Sequence, residues 1–400
     1  MNLTTQQTHE DTALIAPASR LGQTKEYYFS KKLREIDEMR QRGQDIINLG
    51  IGSPDLPPPI AAIEELIHTA KQDHTHAYQP YKGRPELRQA MSGWYAKYFR
   101  TSLDPKTEIL PLIGSKEGIM HISMAFINPG DEVLVPDPGY PTYKAASELA
   151  GARVRTYPLS EKNGWLPDLE ALDESDLSRV KIMWTNYPHM PTGAQANRAW
   201  FAKLIDWARK HRILLVNDNP YAFILTEQPL SLLSIPGAKD VAMELNSLSK
   251  SHNLAGWRVG MLAGRQEYID SVLRFKSNMD SGSFLGTQLA AAQALNQGPI
   301  WYERQNAQYE QRRLVAWQIL EAIGCEYRKD QAGLFVWARC PADENGYDLS
   351  DKLLHQNQVF ITPGGIFGPA GHSYLRISLC ASVSLLQEAL SRLINTNTPS

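Results

Sequence analysis

Short apolar runs alternate with amphipathic stretches between residues 131 and 264. One such stretch, residues 196–212, places Trp200, Leu204, Ile205 and Trp207 at helical spacing between two of the runs. Strand–helix–strand alternation requires right-handed crossovers, so the pattern predicts a largely parallel sheet flanked by helices. Ligands of such sheets bind beyond the carboxyl ends of the strands, so polar residues directly after each run are the first candidates for a site. The runs cover residues 132–135, 180–184, 213–216, 241–245 and 259–262.

The two ends of the chain have a different pattern. Residues 300–320 form a long helical stretch, followed by strand-like runs at 333–338 and 374–378 and a helical stretch at 383–394. Residues 25–42 also look helical, with mixed charges and apolar positions. We therefore expect a second, smaller α+β domain built from both termini. The predicted parts are an N-terminal segment over 1–55 that joins the small domain, a large domain over 56–295, and the small C-terminal domain over 296–400.

The charge balance and the cysteines narrow the class of protein. Lys and Arg number 41 against 43 Asp and Glu, which gives no electrostatic reason to expect nucleic acid or an anionic membrane as a partner. No run reaches the roughly 18 apolar residues of a membrane span, and the N-terminal residues 1–20 lack an apolar segment of signal-peptide length. Cys325, Cys340 and Cys380 are too far apart for a metal-binding spacing and suit a reducing compartment. We expect a cytoplasmic protein without a metal site.

A lysine-centred segment directly follows the fourth apolar run. Within residues 246–260, Lys250 comes after Ser247 and Ser249 and precedes Arg258. A lysine desolvated in a cleft favours its neutral amine, which is a nucleophile towards carbonyl groups, and the serines with the arginine would suit a phosphate. The alternative is a strand that runs into a solvated loop without chemistry. His252, in the same polar segment, is expected to hold a plain loop or surface position.

A carboxylate and a tyrosine follow the third apolar run. Asp218 lies at the expected carboxyl edge of the sheet, with Tyr221 three residues later. A carboxylate at that edge can keep a pyridine nitrogen protonated, and the tyrosine could reach a neighbouring phenolic oxygen. The alternative is an Asx-type turn with a packed tyrosine, and this motif alone does not decide between them.

A small-residue turn precedes the helical stretch at residues 119–127. Gly114, Ser115 and Lys116 stand at its start, where backbone N–H groups and the helix dipole favour an anion. The segment is not a Walker loop, because the Gly-x-x-x-x-Gly-Lys-Ser/Thr pattern is absent. The glycines at 50 and 52 give no dinucleotide fingerprint either, since the third glycine is missing.

Taken together and in this order, these segments resemble the class I/II aminotransferases, which are fold-type I enzymes of pyridoxal 5′-phosphate (PLP). The resemblance covers about residues 28–390. It implies an α/β fold with a large cofactor-binding domain over 56–295, whose mostly parallel sheet is flanked by helices, and a smaller α+β domain from both termini. It also implies PLP as cofactor, an amino acid and a 2-oxo acid as substrates, and a homodimer with shared active sites.

The resemblance also implies a role for each matching residue. Lys250 matches the lysine that forms a Schiff base with the cofactor, and Asp218 matches the partner of its pyridine nitrogen. Tyr221 matches the partner of the phenolic oxygen, and Tyr140 the aromatic that stacks on the ring. Phosphate-binding positions match Ser115, Lys116, Ser247, Ser249 and Arg258, together with Tyr78, which reaches the phosphate of the neighbouring subunit. Gly52 and Arg376 match the groups that hold the substrate α-carboxylate.

One position departs from the family pattern. The family usually reads Asn-Pro-Thr-Gly where this chain has Met190 followed by Pro, Thr and Gly. A thioether is a weak acceptor and cannot donate to the phenolic oxygen. We predict that Tyr221, alone or with His189 or Asn186, supports that oxygen instead.

The expected reaction is amino transfer by a ping-pong mechanism. Lys250 would hold the cofactor and then move the α-proton as general base and acid, while Arg376 would position the substrate. A PLP-dependent β-lyase or amine oxidase on the same fold would share these residues, so both stay open as alternatives. A regulator built on the same domain is a third alternative, against which the intact Lys250 and Asp218 argue. The sequence does not identify the amino acid.

Overall fold

The structure, a computed structural model, describes residues 15–21 and 28–395. Its helices are α1 (Tyr28–Gln41), α2 (Ile60–Ala70), α3 (Pro85–Phe99), α4 (Ser115–Phe126), α5 (Pro141–Leu149), α6 (Leu169–Asp173), α7 (Arg198–His211), α8 (Leu248–Ser251), α9 (Gln266–Lys276), α10 (Leu285–Leu295), α11 (Pro299–Ala322), α12 (Gly346–Asn357) and α13 (Val383–Asn395). Residues 25–27 of the first predicted helix lie outside the described residues.

The strands are β1 (Ile47–Asn48), β2 (Ile109–Leu112), β3 (Glu132–Asp137), β4 (Arg153–Pro158), β5 (Val180–Thr185), β6 (Leu214–Asp218), β7 (Ala242–Ser247), β8 (Gly260–Gly264), β9 (Glu326–Tyr327), β10 (Phe335–Arg339), β11 (Val359–Phe360), β12 (Thr362–Pro363) and β13 (Tyr374–Ser378). The five apolar runs of the middle region correspond to β3, β5, β6, β7 and β8.

A seven-stranded sheet forms the centre of the molecule, in the order β2-β8-β7-β6-β5-β3-β4. The neighbours from β7 to β4 pair in parallel, which confirms the predicted α/β class with a mostly parallel sheet. Strand β8 differs, because it is antiparallel to both β2 and β7. Between β7 and β8 the chain makes only the one-turn helix α8 and a short loop, so it reverses at the same edge instead of crossing over.

Both faces of the central sheet are covered by helices, so the strands β2, β6, β7 and β8 are buried throughout, whereas the edge strand β4 is partly exposed. In β5, Ile182 packs into a cluster with α4, α5 and α9, whereas its neighbour Met183 packs on the other face with α3, α7 and α10. Successive side chains of a strand point to opposite faces, and a continuous apolar run is what a strand buried on both faces requires. For this reason the apolar runs in the sequence do not alternate between apolar and polar residues.

The C-terminal part of the chain forms a second, antiparallel sheet in the order β12-β13-β10-β9. Strand β1 pairs in parallel with β11, so the segment after α1 contacts the C-terminal part as expected. The domain boundaries at residues 55 and 295 stay a prediction. Among the described residues, no helix has both the length and the apolar character that crossing a membrane would take.

Candidate active site

A cavity of about 400 Å³ lies at the carboxyl edge of the central sheet, next to the start of α4 and the antiparallel sheet. Ligands of doubly wound sheets bind at this edge. The structure brings most of the predicted site residues together there. Those that line the cavity are Gly52, Ser115, Lys116, Tyr140, Asp218, Tyr221, Ser247, Ser249, Lys250, Arg258 and Arg376.

Lys250 lies on α8, immediately after β7. The helix starts here because the Ser247 hydroxyl caps it, accepting a hydrogen bond from the Ser249 N–H at 3.2 Å. Nζ of Lys250 donates to the Gly52 carbonyl at 2.5 Å. Burial lowers the pKa of Lys250, and the neighbouring Arg376 lowers it further. A larger neutral fraction makes this amine a better nucleophile and proton acceptor.

Asp218 ends β6 and is buried. Its Oδ2 accepts a hydrogen bond from the Tyr143 hydroxyl at 2.9 Å, whereas its buried Oδ1 has no hydrogen-bond partner among the described residues. Burial raises the pKa of Asp218 to about 7, an effect that the Tyr143 hydrogen bond opposes. A buried carboxylate oxygen without a partner is costly, so this atom is suited to a cationic donor in the cavity.

Tyr143 is a functional residue that sequence reasoning missed. Its ring stacks on Trp184 with centroids 5.1 Å apart, which fixes the hydroxyl beneath Asp218. A signal was present, since Tyr143 follows Tyr140 by three residues at the start of α5 and shares a helix face with it. Tyr140 itself is half-buried and lies edge-on to Tyr143 at 5.5 Å.

An anion cradle forms where α4 begins. Gly114 caps the helix with φ of 83°, and a Cβ there would lie 2.1 Å from Nη2 of Arg258. Only glycine allows this backbone conformation together with so close an approach. The first N–H groups of α4, the Arg258 guanidinium and the serine hydroxyls of 247 and 249 thus face the same cavity, and all of them favour an anionic group.

Arg376 is buried in the middle of β13. Its Nη2 donates to the Gly50 carbonyl at 2.8 Å, and its guanidinium carbon lies 3.8 Å from the Phe335 ring centroid and 4.6 Å from that of Phe367. The same Phe335 ring excludes a side chain at residue 52, where a Cβ would approach to 2.3 Å. Gly52 and Arg376 therefore border one end of the cavity together.

Met190 also lines the cavity. Asn186 was one of the residues predicted to support the phenolic oxygen in place of the usual asparagine, and it also lines the cavity. Its amide is already engaged, since it donates to the Asp218 carbonyl at 2.5 Å and accepts from the Met190 N–H at 2.8 Å. His189 is paired with the Thr192 hydroxyl at 2.8 Å, and burial lowers its pKa to about 3. Tyr221 is buried beside the cavity, and burial raises its pKa.

Two of the residues considered in the sequence lie outside the cavity. His252 lies in the turn after α8, as expected for a loop position, but it is not on the surface, because it is fully buried between the Ser251 hydroxyl at 2.8 Å and the Tyr302 hydroxyl at 3.1 Å. These two hydroxyls take the place of water as hydrogen-bond partners of the ring nitrogens Nδ1 and Nε2. Tyr78 is 91% exposed and does not line the cavity of its own chain in the described structure.

Glu117, His121 and Asp280 form a cluster outside this cavity, with one ligand atom each within 4.8 Å of the others. Nζ of the buried Lys276 lies 2.5 Å from Oδ1 of Asp280. The His121 ring lies 2.9 Å from Oε1 of Glu117, so both carboxylates of the cluster have a partner among the described residues.

Comparison with known proteins covers almost the whole chain. The sequence model of the family described as aminotransferase class I and II matches residues 44–393. The LL-diaminopimelate aminotransferase of Oleidesulfovibrio alaskensis is 43% identical over 379 residues, covering 94% of this chain and 98% of the relative. The LL-diaminopimelate aminotransferase of Dehalococcoides mccartyi is 42% identical over 369 residues, covering 92% of this chain and 95% of the relative. The substrate-bound structure of BacF from Bacillus subtilis superposes with a TM-score of 0.91 at 35% identity, covering 96% of this chain and 99% of that one.

Proposed function

The chain belongs to the class I and II aminotransferase family, and we propose that it moves an amino group between an α-amino acid and a 2-oxo acid with PLP held covalently by Lys250. Family and fold agree with the resemblance expected from the sequence. The observation that carries the proposal is the convergence on one cavity of the Lys250 amine, the anion cradle and Oδ1 of Asp218, which has no hydrogen-bond partner within the described part of the chain.

The residues present fit this cofactor part by part. Oδ1 of Asp218 would accept from the protonated ring nitrogen, which would supply the partner that this buried atom needs. The cradle of α4 and Arg258, with Ser247 and Ser249, would hold the phosphate. Tyr140 would stack on the ring, and Tyr221 would donate to the phenolic oxygen.

The mechanism divides the chemistry between cofactor and chain. When bound, PLP supplies an electron sink for the negative charge that remains after an α-proton leaves. Lys250 takes this proton and returns it, which its lowered pKa assists because the amine must be neutral to accept it. Arg376 pairs with the substrate α-carboxylate and so aims the α-C–H bond at Lys250.

The named relatives suggest the first substrate to test. Both are LL-diaminopimelate aminotransferases with more than 90% coverage of this chain. We propose LL-diaminopimelate as amino donor and 2-oxoglutarate as acceptor.

We further propose a homodimer with shared active sites. Tyr78 is 91% exposed and does not line the cavity of its own chain in the described structure, so it is available to a neighbouring subunit. Tyr78 of one subunit would then reach the phosphate held by the other.

The test uses the purified protein supplied with PLP. It should form glutamate from LL-diaminopimelate and 2-oxoglutarate, and borohydride reduction followed by peptide mapping should place the cofactor on Lys250. The matched variant Lys250→Ala should do neither. Label on another lysine, or release of ammonia without glutamate, would refute the proposal, the latter in favour of an amine oxidase. Pyruvate and ammonia formed from an amino acid with a leaving group on Cβ, such as cystathionine, would instead favour a β-lyase.

A further inference from the structure

Lys250 and Tyr221 both lie on short segments at the carboxyl edge of the central sheet. Lys250 belongs to α8, which has a single turn, and Tyr221 opens a turn that the Ile224 N–H closes by donating to the Tyr221 carbonyl at 3.0 Å. A single turn makes few hydrogen bonds of its own. The positions of these two side chains therefore depend on the elements that contact their segments.

Gln305 of α11 holds the end of α8. The last carbonyl groups of a helix have no partner within it, and here the Ser251 carbonyl accepts from Nε2 of Gln305 at 2.9 Å and from Nε1 of Trp301 at 3.0 Å. Gln305 and Ser251 are both buried, so water does not readily take the place of this donor. Gln305 thus fixes the residue that directly follows Lys250.

Asn306, the next residue of α11, holds the turn on the other segment. Its Nδ2 donates to the Phe223 carbonyl at 3.0 Å, and its Oδ1 accepts from the Leu225 N–H at 2.9 Å. One side-chain amide thus provides both a donor and an acceptor to the backbone of the turn. The turn has a second attachment, since the Gly333 N–H donates to the Ile224 carbonyl at 2.8 Å. Loss of Asn306 would therefore leave the turn attached but less constrained.

The two contacts come from consecutive residues of a long helix. Helix α11 spans 24 residues, and its backbone hydrogen bonds keep neighbouring residues at a fixed separation. Because Gln305 contacts the segment of Lys250 and Asn306 contacts that of Tyr221, the helix sets the distance between these two segments. The proposed function places both side chains on one cofactor, and an error of about 1 Å in such positioning can cost about a hundredfold in rate.

We propose that Gln305 and Asn306 are positioning residues: through α11 they hold the Lys250 amine and the Tyr221 hydroxyl at the separation that the cofactor requires. This inference rests on the proposed function and deepens it, because it extends the site to two residues that do not line the cavity.

The Tyr221 hydroxyl gives a spectroscopic test of Asn306. The visible absorbance of the PLP-loaded protein changes with pH as the bound cofactor loses a proton, and a hydroxyl that donates to the phenolic oxygen stabilises the form without this proton. Tyr221→Phe should therefore raise the midpoint of the titration. Asn306→Leu and Asn306→Ala leave the hydroxyl present but loosen its turn, so each should raise the midpoint by about 0.5 to 1 pH unit.

A double-mutant cycle shows whether Asn306 acts through Tyr221. In the Tyr221→Phe background, Asn306→Leu should shift the midpoint by no more than about 0.2 pH units, because the hydroxyl that it positions is already absent. A general loss of packing would shift the midpoint equally in both backgrounds, and that result would overturn the role of Asn306. Two substitutions at residue 306 keep the test available if one of them does not fold.

Gln305 is tested by how the protein presents Lys250. Gln305→Met keeps an unbranched side chain and removes the donor, so the cofactor-free protein should capture PLP about threefold to tenfold more slowly, measured as the rise of visible absorbance after mixing. In the loaded protein kcat should fall by a similar factor, with KM for both substrates within about twofold. The matched control Gln308→Met changes an exposed residue of the same helix and should alter neither the midpoint, the capture rate nor kcat.

The outcomes separate this inference from the function on which it rests. Unchanged midpoints in both Asn306 variants, or an unchanged capture rate and kcat in Gln305→Met, would overturn the inference while the wild-type protein still transfers amino groups. A wild-type protein that takes up no PLP, or that carries it on another lysine, would instead refute the proposed function.

Discussion

At the scale of single residues, the environment of Asp218 makes a prediction about pH. Its pKa rises from 3.8 to about 7 on burial, so the cofactor-free native state disfavours the ionised carboxylate relative to the unfolded chain. The penalty grows as the pH rises between these two values and amounts to at most about 4 kcal/mol above them. In the cofactor-free protein, Asp218→Asn should therefore raise the melting temperature more at pH 8 than at pH 5.

Thermal unfolding of the cofactor-free protein at the two pH values measures this difference. The exposed Asp343 serves as the control, and Asp343→Asn should have the same small effect at both. Equal shifts for Asp218→Asn at pH 5 and pH 8 would contradict the raised pKa of this carboxyl in the folded protein. The same variant should bind PLP more weakly, because the ring nitrogen loses its carboxylate.

The positions of site residues could be predicted from the sequence where one short motif contains them. The segment around Lys250 is one, and its serines and arginine do line the cavity. The role of Tyr143 was missed because its partner, Asp218, lies 75 residues away. His252 was misplaced because a polar segment looks solvated, whereas here α3 and α11 bury the ring against Trp94 and Tyr302.

At the scale of elements, an ion pair joins α11 to the segment that carries Gly52. Both Nη atoms of Arg312 bind the Asp55 carboxylate, at 2.6 and 2.8 Å, and Nη1 also donates to the Leu379 carbonyl at 2.9 Å. Arg312 is buried, whereas the Asp55 side chain is 36% exposed. Asp55→Ala should cost about 1–2 kcal/mol of unfolding free energy and raise KM, since Gly52 lies three residues away.

Urea unfolding and steady-state kinetics check this prediction together. The matched control is Asp330→Ala, which removes an equally short ion pair to Arg328 on the surface and should change stability by no more than about 0.5 kcal/mol. Loss of stability without any change in KM would mean that the ion pair holds the fold but not the position of Gly52.

Elements themselves were predictable wherever a local pattern determines them. The helix Arg198–His211 falls within the predicted stretch, because its apolar face and its cap Asn197 both lie in that segment. The direction of β8 was not predictable from its apolar run, because a buried strand has the same composition in either direction. The feature of the sequence that could have indicated the antiparallel direction of β8 is the short connection from Ser247 to Gly260.

At the scale of the whole molecule, active sites shared between subunits imply that two different inactive variants can regain activity when their subunits combine in one dimer. Lys250→Ala removes a group from a chain's own cavity, whereas Tyr78→Ala removes one that lies exposed on the outside of its own chain. In a mixed dimer, one site would carry both defects and the other neither. After subunit exchange of an equal mixture, half of the dimers are mixed, so activity should return to about a quarter of wild type.

The control for this experiment mixes Lys250→Ala with Asp218→Ala. Both residues line the cavity of one chain, so each site of a mixed dimer would keep one defect and activity should stay absent. Mass spectrometry would establish that mixed dimers form in both cases. If they form and only the Tyr78 mixture is active, each site is built from two chains, and the exposure of Tyr78 follows from its position at the boundary between them. If neither mixture is active, Tyr78 has no role in a neighbouring site and the shared-site proposal fails.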